Sequence, residues 1–167
     1  KYDDELYFNA NYSMGWAYIN LGEYEKAINY YKRIEGKKGF EDVNSQIGEC
    51  YLKLNDLEKA EKYFLKISAN SSDYINALYS LSVIYQKQKN EVKVEQIINE
   101  LNRQYPNDYL TLAANFEYAN YLYEREKYEV SLKYFETVNN IKIKNITDEI
   151  SSIYETANYF TGYIYQI

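Results

Sequence analysis

The chain has 167 residues, 46% apolar and 18% aromatic, with 19 basic and 25 acidic side chains and a net charge of −6, enough for one globular domain or one short solenoid with a substantial core. With no histidine and a single cysteine, Cys50, it cannot build a His-based triad, a Cys–His pair, an intramolecular disulfide or most transition-metal sites. Its charges alternate without forming a block, which argues against nucleic acid as a partner, and no apolar run approaches the ~20 residues that span a bilayer.

Proline occurs once and glycine six times, so the chain reads as almost wholly helical. The first predicted helix carries Asn11-x-x-Met14-Gly15-x-x-Tyr18. A turn at Gly22 leads to Glu23-Tyr24-Glu25-Lys26-Ala27-Ile28 and Tyr30-Tyr31. Beyond Gly36 and Gly39 the pattern returns: Asn44-x-x-Ile47-Gly48-x-x-Tyr51, a turn at Asn55, then Asp56-Leu57-Glu58-Lys59-Ala60 and Tyr63-Phe64. After Ser71 and Ser72, with Asp73 as a predicted N-cap, comes Leu78-x-x-Leu81-Ser82-x-x-Tyr85, a turn at Asn90, then Val94 and Ile98. Pro106 and a predicted N-cap at Asp108 introduce Asn115-x-x-Tyr118-Ala119-x-x-Leu122, followed by Tyr128-Glu129-Val130-Ser131-Leu132 and Tyr134-Phe135. Residues 139–145 form the longest stretch without period. Thr147 then caps a last helix, Asp148 and Glu149 occupy its first turn, and Asn158-x-x-Thr161-Gly162-x-x-Tyr165 repeats the first-helix pattern with no second helix after it.

The marker position falls at Ala27, Ala60, Val94 and Ser131, at spacings of 33, 34 and 37 residues. This register resembles the tetratricopeptide repeat, whose unit is two antiparallel helices in about 34 residues. The resemblance covers nearly the whole chain. It implies an all-α, right-handed α-solenoid of antiparallel helix pairs, with units at about 8–40, 41–74, 75–108 and 112–145 and the first helix of a further unit at 147–167. Nine main helices are expected, the last unpaired. Ser82 stands where the pattern has Gly, and Val94 and Ser131 where it has Ala.

A mid-helix glycine costs up to ~1 kcal/mol relative to alanine, which makes sense at Gly15, Gly48 and Gly162 if a partner helix approaches closely. Ala27 and Ala60 are the matching small residues. Tyr18, Tyr51 and Tyr85, one turn on, are expected to fill the space beside that contact. On the last helix Ile164 and Ile167 are expected to be left uncovered, which would favour end-to-end self-association.

No Gly-rich phosphate loop is present, the Asp3/Asp4 pair reads as a helix start, and Cys50 reads as a small buried apolar residue. No cofactor, metal or catalytic group is expected. Three sequons begin at Asn11, Asn70 and Asn145; in an Asn-rich chain chance matches are expected, and Asn11 lies within a helix. With 23 Tyr beside abundant Asn, Ile and Lys, coding composition explains part of the tyrosine count. The chain starts at Lys1, without a methionine or signal peptide, and reads as an excised fragment.

In the resembled fold, first helices line a concave groove. The positions carried over are Tyr12, Trp16, Asn20, Gln46, Glu49, Tyr79, Val83, Phe116, Asn120, Tyr123, Tyr159 and Tyr163. This set is aromatic and amide-rich, which suits protein binding. Tyr12, Trp16, Tyr79, Phe116 and Tyr123 are the expected hot spots, with Asn20 and Asn120 bonding a ligand backbone. The positions matching a chaperone-type carboxylate clamp hold Tyr12, Trp16, Gln46, Asn76 and Ser80; none is basic, which disfavours that ligand. The expectation is a protein–protein interaction scaffold without enzymatic activity, binding a protein or peptide partner, with no nucleic acid and no direct membrane insertion. The alternatives are a spacer or self-association segment of a longer array, or a regulatory domain of a larger enzyme. Tyr105-Pro106-Asn107-Asp108 and Ala157-Asn158-Tyr159-Phe160-Thr161-Gly162-Tyr163 also resemble repeats of bacterial cell-envelope assembly proteins, which implies the periplasm or envelope as the setting, with the cytoplasm as the other choice.

Overall fold

The structure is a computed structural model that describes residues 2–167, with side chains from Asp4 onward; Lys1 and the side chain of Asp3 lie outside the described residues. Regular structure among the described residues is α-helix only: α1 (Tyr2–Asn20), α2 (Tyr24–Lys32), α3 (Val43–Lys53), α4 (Leu57–Phe64), α5 (Tyr74–Lys87), α6 (Glu91–Gln104), α7 (Tyr109–Tyr123), α8 (Tyr128–Asn140) and α9 (Asp148–Ile164). The non-periodic stretch is shorter than expected, because α8 continues to Asn140. The chain divides into two compact units, Lys1–Ser80 and Leu81–Ile167, with the boundary inside α5.

In the first unit α1 packs on α2, α2 on α3 and α3 on α4. The glycines explain why these pairs sit so close. A Cβ on Gly15 would meet the Tyr31 ring at 2.7 Å, and one on Gly48 would meet the Phe64 ring at 3.0 Å. Ala27 and Ala60 are completely buried beside these rings. Tyr18 stacks on Tyr30 at 5.3 Å and Tyr51 on Tyr63 at 5.6 Å, so the tyrosine after each glycine fills the adjoining space. Burial pushes the Cys50 thiol up to about 12 and keeps it protonated, in line with a packing role. Asn11 is equally committed to the interior: its amide donates to the Tyr7 carbonyl at 2.7 Å and accepts from Arg33 at 3.3 Å.

In the second unit α6 packs on α7, α7 on α8 and α8 on α9. Ser131 stands where the first unit has alanine. Its hydroxyl donates to the Ala119 carbonyl at 2.8 Å, so the buried polar atom is satisfied. Asn115 and Asn102 exchange side-chain hydrogen bonds at 2.8 and 3.3 Å, giving α6 and α7 a polar lock. Asp108 and Thr147 cap their helices as expected, accepting from the backbone N–H of Leu110 and Ile150.

The turns inside the helix pairs share one device: a residue at positive φ followed by the N-cap. Gly22 and Asn55 take that position at φ 73° and 58°, residues suited to it. In the third pair Lys89 takes it at φ 56°, while Asn90, expected there, is the N-cap and accepts from Lys93 N–H at 3.2 Å. Glu126 does the same as Lys89, at φ 60°. A left-handed side chain costs roughly 1–2 kcal/mol, offset in part by the backbone entropy of glycine. Lys89→Gly should therefore raise stability by about 0.5–1 kcal/mol, read as a higher denaturant midpoint. An unchanged or lower midpoint would show that this turn carries no strain.

One expectation for the last helix is corrected. Ile164 is only 8% exposed, because Ile150, Ile153, Ala157 and Ile164 form the face of α9 turned inward; Ile167 beyond the helix is exposed. A Cβ on Gly162 would meet nothing within 4 Å among the described residues, as fits a first helix with no second helix after it here.

Candidate functional site

The residues expected to line a groove fall into two groups. In the first unit Tyr12 is already engaged. Its hydroxyl donates to Asp42 at 2.5 Å, and its ring lies 5.7 Å from both Tyr31 and Phe40. The hydrogen bond to Asp42, followed by burial, pushes the phenol up to about 12. Asn20 folds its amide back onto the Trp16 carbonyl at 3.1 Å. Glu49 accepts from Ser80 at 2.8 Å. Gln46 and Tyr79 are half-buried, while Trp16 is 59% exposed. Trp16 is thus the large uncovered ring of this group.

In the second unit the predicted residues from α7 and α9 come together. Phe135 of α8, completely buried, forms the floor. Phe116 meets it edge-on at 6.3 Å, and Phe160 stacks on it at 5.3 Å. Tyr123 leans on Phe160 at 4.5 Å and on Tyr128 at 5.3 Å. Tyr159 packs edge-on against Phe160 at 5.4 Å and is roughly parallel to Tyr163 at 6.4 Å. Tyr159 is 66% exposed and Tyr163 42%. Asn120 is half-buried, and its side chain makes no hydrogen bond among the described residues. The arrangement can offer ring faces and one open amide to a ligand, with none of the named residues charged.

Val83 lines a cavity of about 340 Å³ with Gln86, Glu117 and Tyr121. The Gln86 amide nitrogen is buried, with no hydrogen-bond partner among the described residues. Sequence reading passed over Gln86, although it lies one turn after Val83 on the same helical face. Phe160, central to the aromatic floor, was expected on the groove-facing side of the last helix but not among the binding residues. Among the described residues no group of three or more His, Cys, Asp or Glu side chains could hold a metal ion, and no helix is long and apolar enough to cross a membrane.

A family model described as the fourth ARM domain of tetratricopeptide repeat protein 21 matches residues 11–106, more than half of the chain. The chain belongs to this tetratricopeptide-repeat family. Solved structures agree on the fold. MamA AMB-1 is 12% identical with a TM-score of 0.64, over 97% of this chain and 86% of that one. YrrB, described as a TPR protein with an unusual peptide-binding site, is 16% identical with a TM-score of 0.63, over 93% and 75%. TTC0263, a thermophilic TPR protein of Thermus thermophilus, is 15% identical with a TM-score of 0.59, over 93% and 83%. A comparison with curated proteins gives no match. The TPR chain is thus an all-α helical repeat of solenoid class, a type of fold associated with protein–protein interaction scaffolds rather than with catalysis.

Proposed function

We propose that the chain is a scaffold that takes an extended segment or helix of a partner protein on its first-helix faces, and that the principal site in the second unit is the aromatic surface of α7 and α9. One observation carries this reading: Phe116, Tyr123, Phe160, Tyr159 and Tyr163 form a connected, partly uncovered set of rings beside the open amide of Asn120. Rigid aromatic side chains supply contact area at low entropic cost and dominate measured binding energies. Trp16 offers a second such contact in the first unit. The peptide-binding site described for YrrB, a protein of similar fold, supports this use.

The test is co-precipitation from the source organism, followed by titration of the captured protein against Tyr159→Ala, Tyr163→Ala and Trp16→Ala. The two α9 rings are exposed enough for their removal to leave the fold intact. Each should cost more than about 1 kcal/mol of affinity. Binding should depend weakly on salt, because no charged pair is formed at the rings. Losses below ~0.5 kcal/mol at both α9 positions, or a steep salt dependence, would favour the spacer reading instead.

A further inference from the structure

Two successive loops that link helix pairs in the first unit, residues 33–42 and 65–73, line one cavity of about 520 Å³. Lys37, Lys38 and Lys66 border it against a single carboxylate, Glu41, in a chain whose net charge is −6. All three lysines are exposed. Lys66 is shared with Glu35 at 2.6 Å, Lys37 stands 5.6 Å from the Phe8 ring, and Lys38 forms no ion pair among the described residues. Ser68 and Ser71 add hydroxyls to the lining. Each accepts a backbone N–H, from Asn70 at 3.3 Å and from Asp73 at 3.2 Å, and so keeps its own hydrogen for an acceptor.

The first of these loops already holds an anion. Gly36 and Gly39 take φ 74° and 88°, and backbone N–H groups in such turns form concavities that attract negative charge. The Gly39 N–H donates to the Glu41 carboxylate at 2.9 Å. That bond, with the backbone N–H of Glu41 itself, holds the Glu41 carboxyl below the usual carboxylate range. Glu41 thus stands as an internal anion beside three cations.

The lining selects the kind of anion that could replace it. No arginine borders the cavity, so the planar fork that matches a carboxylate is missing. Ammonium point charges with hydroxyl and backbone donors suit the three oxygens of a phosphomonoester. The cavity has room for more than that group, and Phe40 and Ile67 give its carrier an apolar wall. Asn44 also lines the cavity, and its amide oxygen is buried with no hydrogen-bond partner among the described residues. A backbone N–H of a polypeptide can supply one.

We propose that this cavity docks a phosphorylated serine or threonine of a partner polypeptide, which takes the place of Glu41 on the Gly36–Gly39 loop and is held by Lys37, Lys38 and Lys66. The site is built on loops between helix pairs. It does not rest on the α7–α9 aromatic surface and can fail independently of it.

The probe is the peptide acetyl-Ala-Ala-phosphoserine-Ala-Ala-amide, titrated into the isotope-labelled chain while the backbone amide resonances of Lys38 and Gly39 are followed. Both should shift saturably, and the unphosphorylated peptide should leave them in place. Replacing Lys37 and Lys38 together by alanine, at two exposed positions, should weaken binding about tenfold. Glu41→Gln should tighten it about threefold, because a competing like charge is removed. Absence of saturable shifts, equal binding of the unphosphorylated peptide, or weaker binding by the Glu41→Gln chain overturns the proposal. Inorganic phosphate should bind more weakly than the peptide; equal affinity would make free phosphate the ligand and overturn the polypeptide source. Equal shifts with a short single-stranded RNA would overturn it as well, since the site would then read a nucleic-acid backbone.

Discussion

Gly48→Leu should lower the unfolding midpoint, whereas Gly162→Leu, the same change at the same repeat position, should leave it unchanged or raise it. At Gly48 the first added carbon already stands 3.0 Å from Phe64, and that ring is 1% exposed, with no room to turn away. Three further carbons must displace α4 from α3. Overpacking of this kind costs about 1–3 kcal/mol, opposed by a helix-propensity gain of up to ~1 kcal/mol. Gly15→Leu should be at least as damaging, since Tyr31 lies 2.7 Å away. At Gly162 only the propensity gain operates. Thermal melts of the three variants measure the contrast directly, and equal shifts would show that the helix pairs do not close on these glycines.

Phe135→Ala should be the most disruptive single change in the second unit. The ring is completely buried and supports Phe116 on one side and Phe160 on the other. Truncating a core phenylalanine costs about 3–5 kcal/mol, through lost burial and the cavity left behind. The aromatic surface stands on that ring, so partner affinity should fall as well, even at temperatures where the variant is folded. Phe135→Leu, which keeps most of the volume, should restore stability more fully than affinity. If Phe135→Ala melts within ~1 kcal/mol of the parent, the α7–α8–α9 packing described above is incorrect.

The repeat was legible because its signals are local and periodic. Gly15, Gly48, Ala27 and Ala60 recur at fixed spacing, and only a small residue tolerates a helix pressed against it. Asp108 and Thr147 could be recognised as caps because a side-chain oxygen before a helix answers a donor two or three residues away. Lys89 could not be foreseen at positive φ beside Asn90, because the neighbouring asparagine satisfies either the turn or the cap, and hydrogen bonding to Lys93 decided for the cap.

What the residues determined by themselves was the helical repeat and the recurrence of its small residues. Only tertiary structure decided which tyrosines are core and which are surface. Tyr31 and Tyr118 are completely buried, with hydroxyls that find no partner among the described residues, while Tyr159 and Tyr165 are largely exposed. It also tied Tyr12 to Asp42 across thirty residues, folded Asn20 onto its own helix and turned Ile164 inward. The physical reason is common to all of them. A residue's spacing fixes the helical face it occupies, but whether that face is covered depends on helices encoded far along the chain.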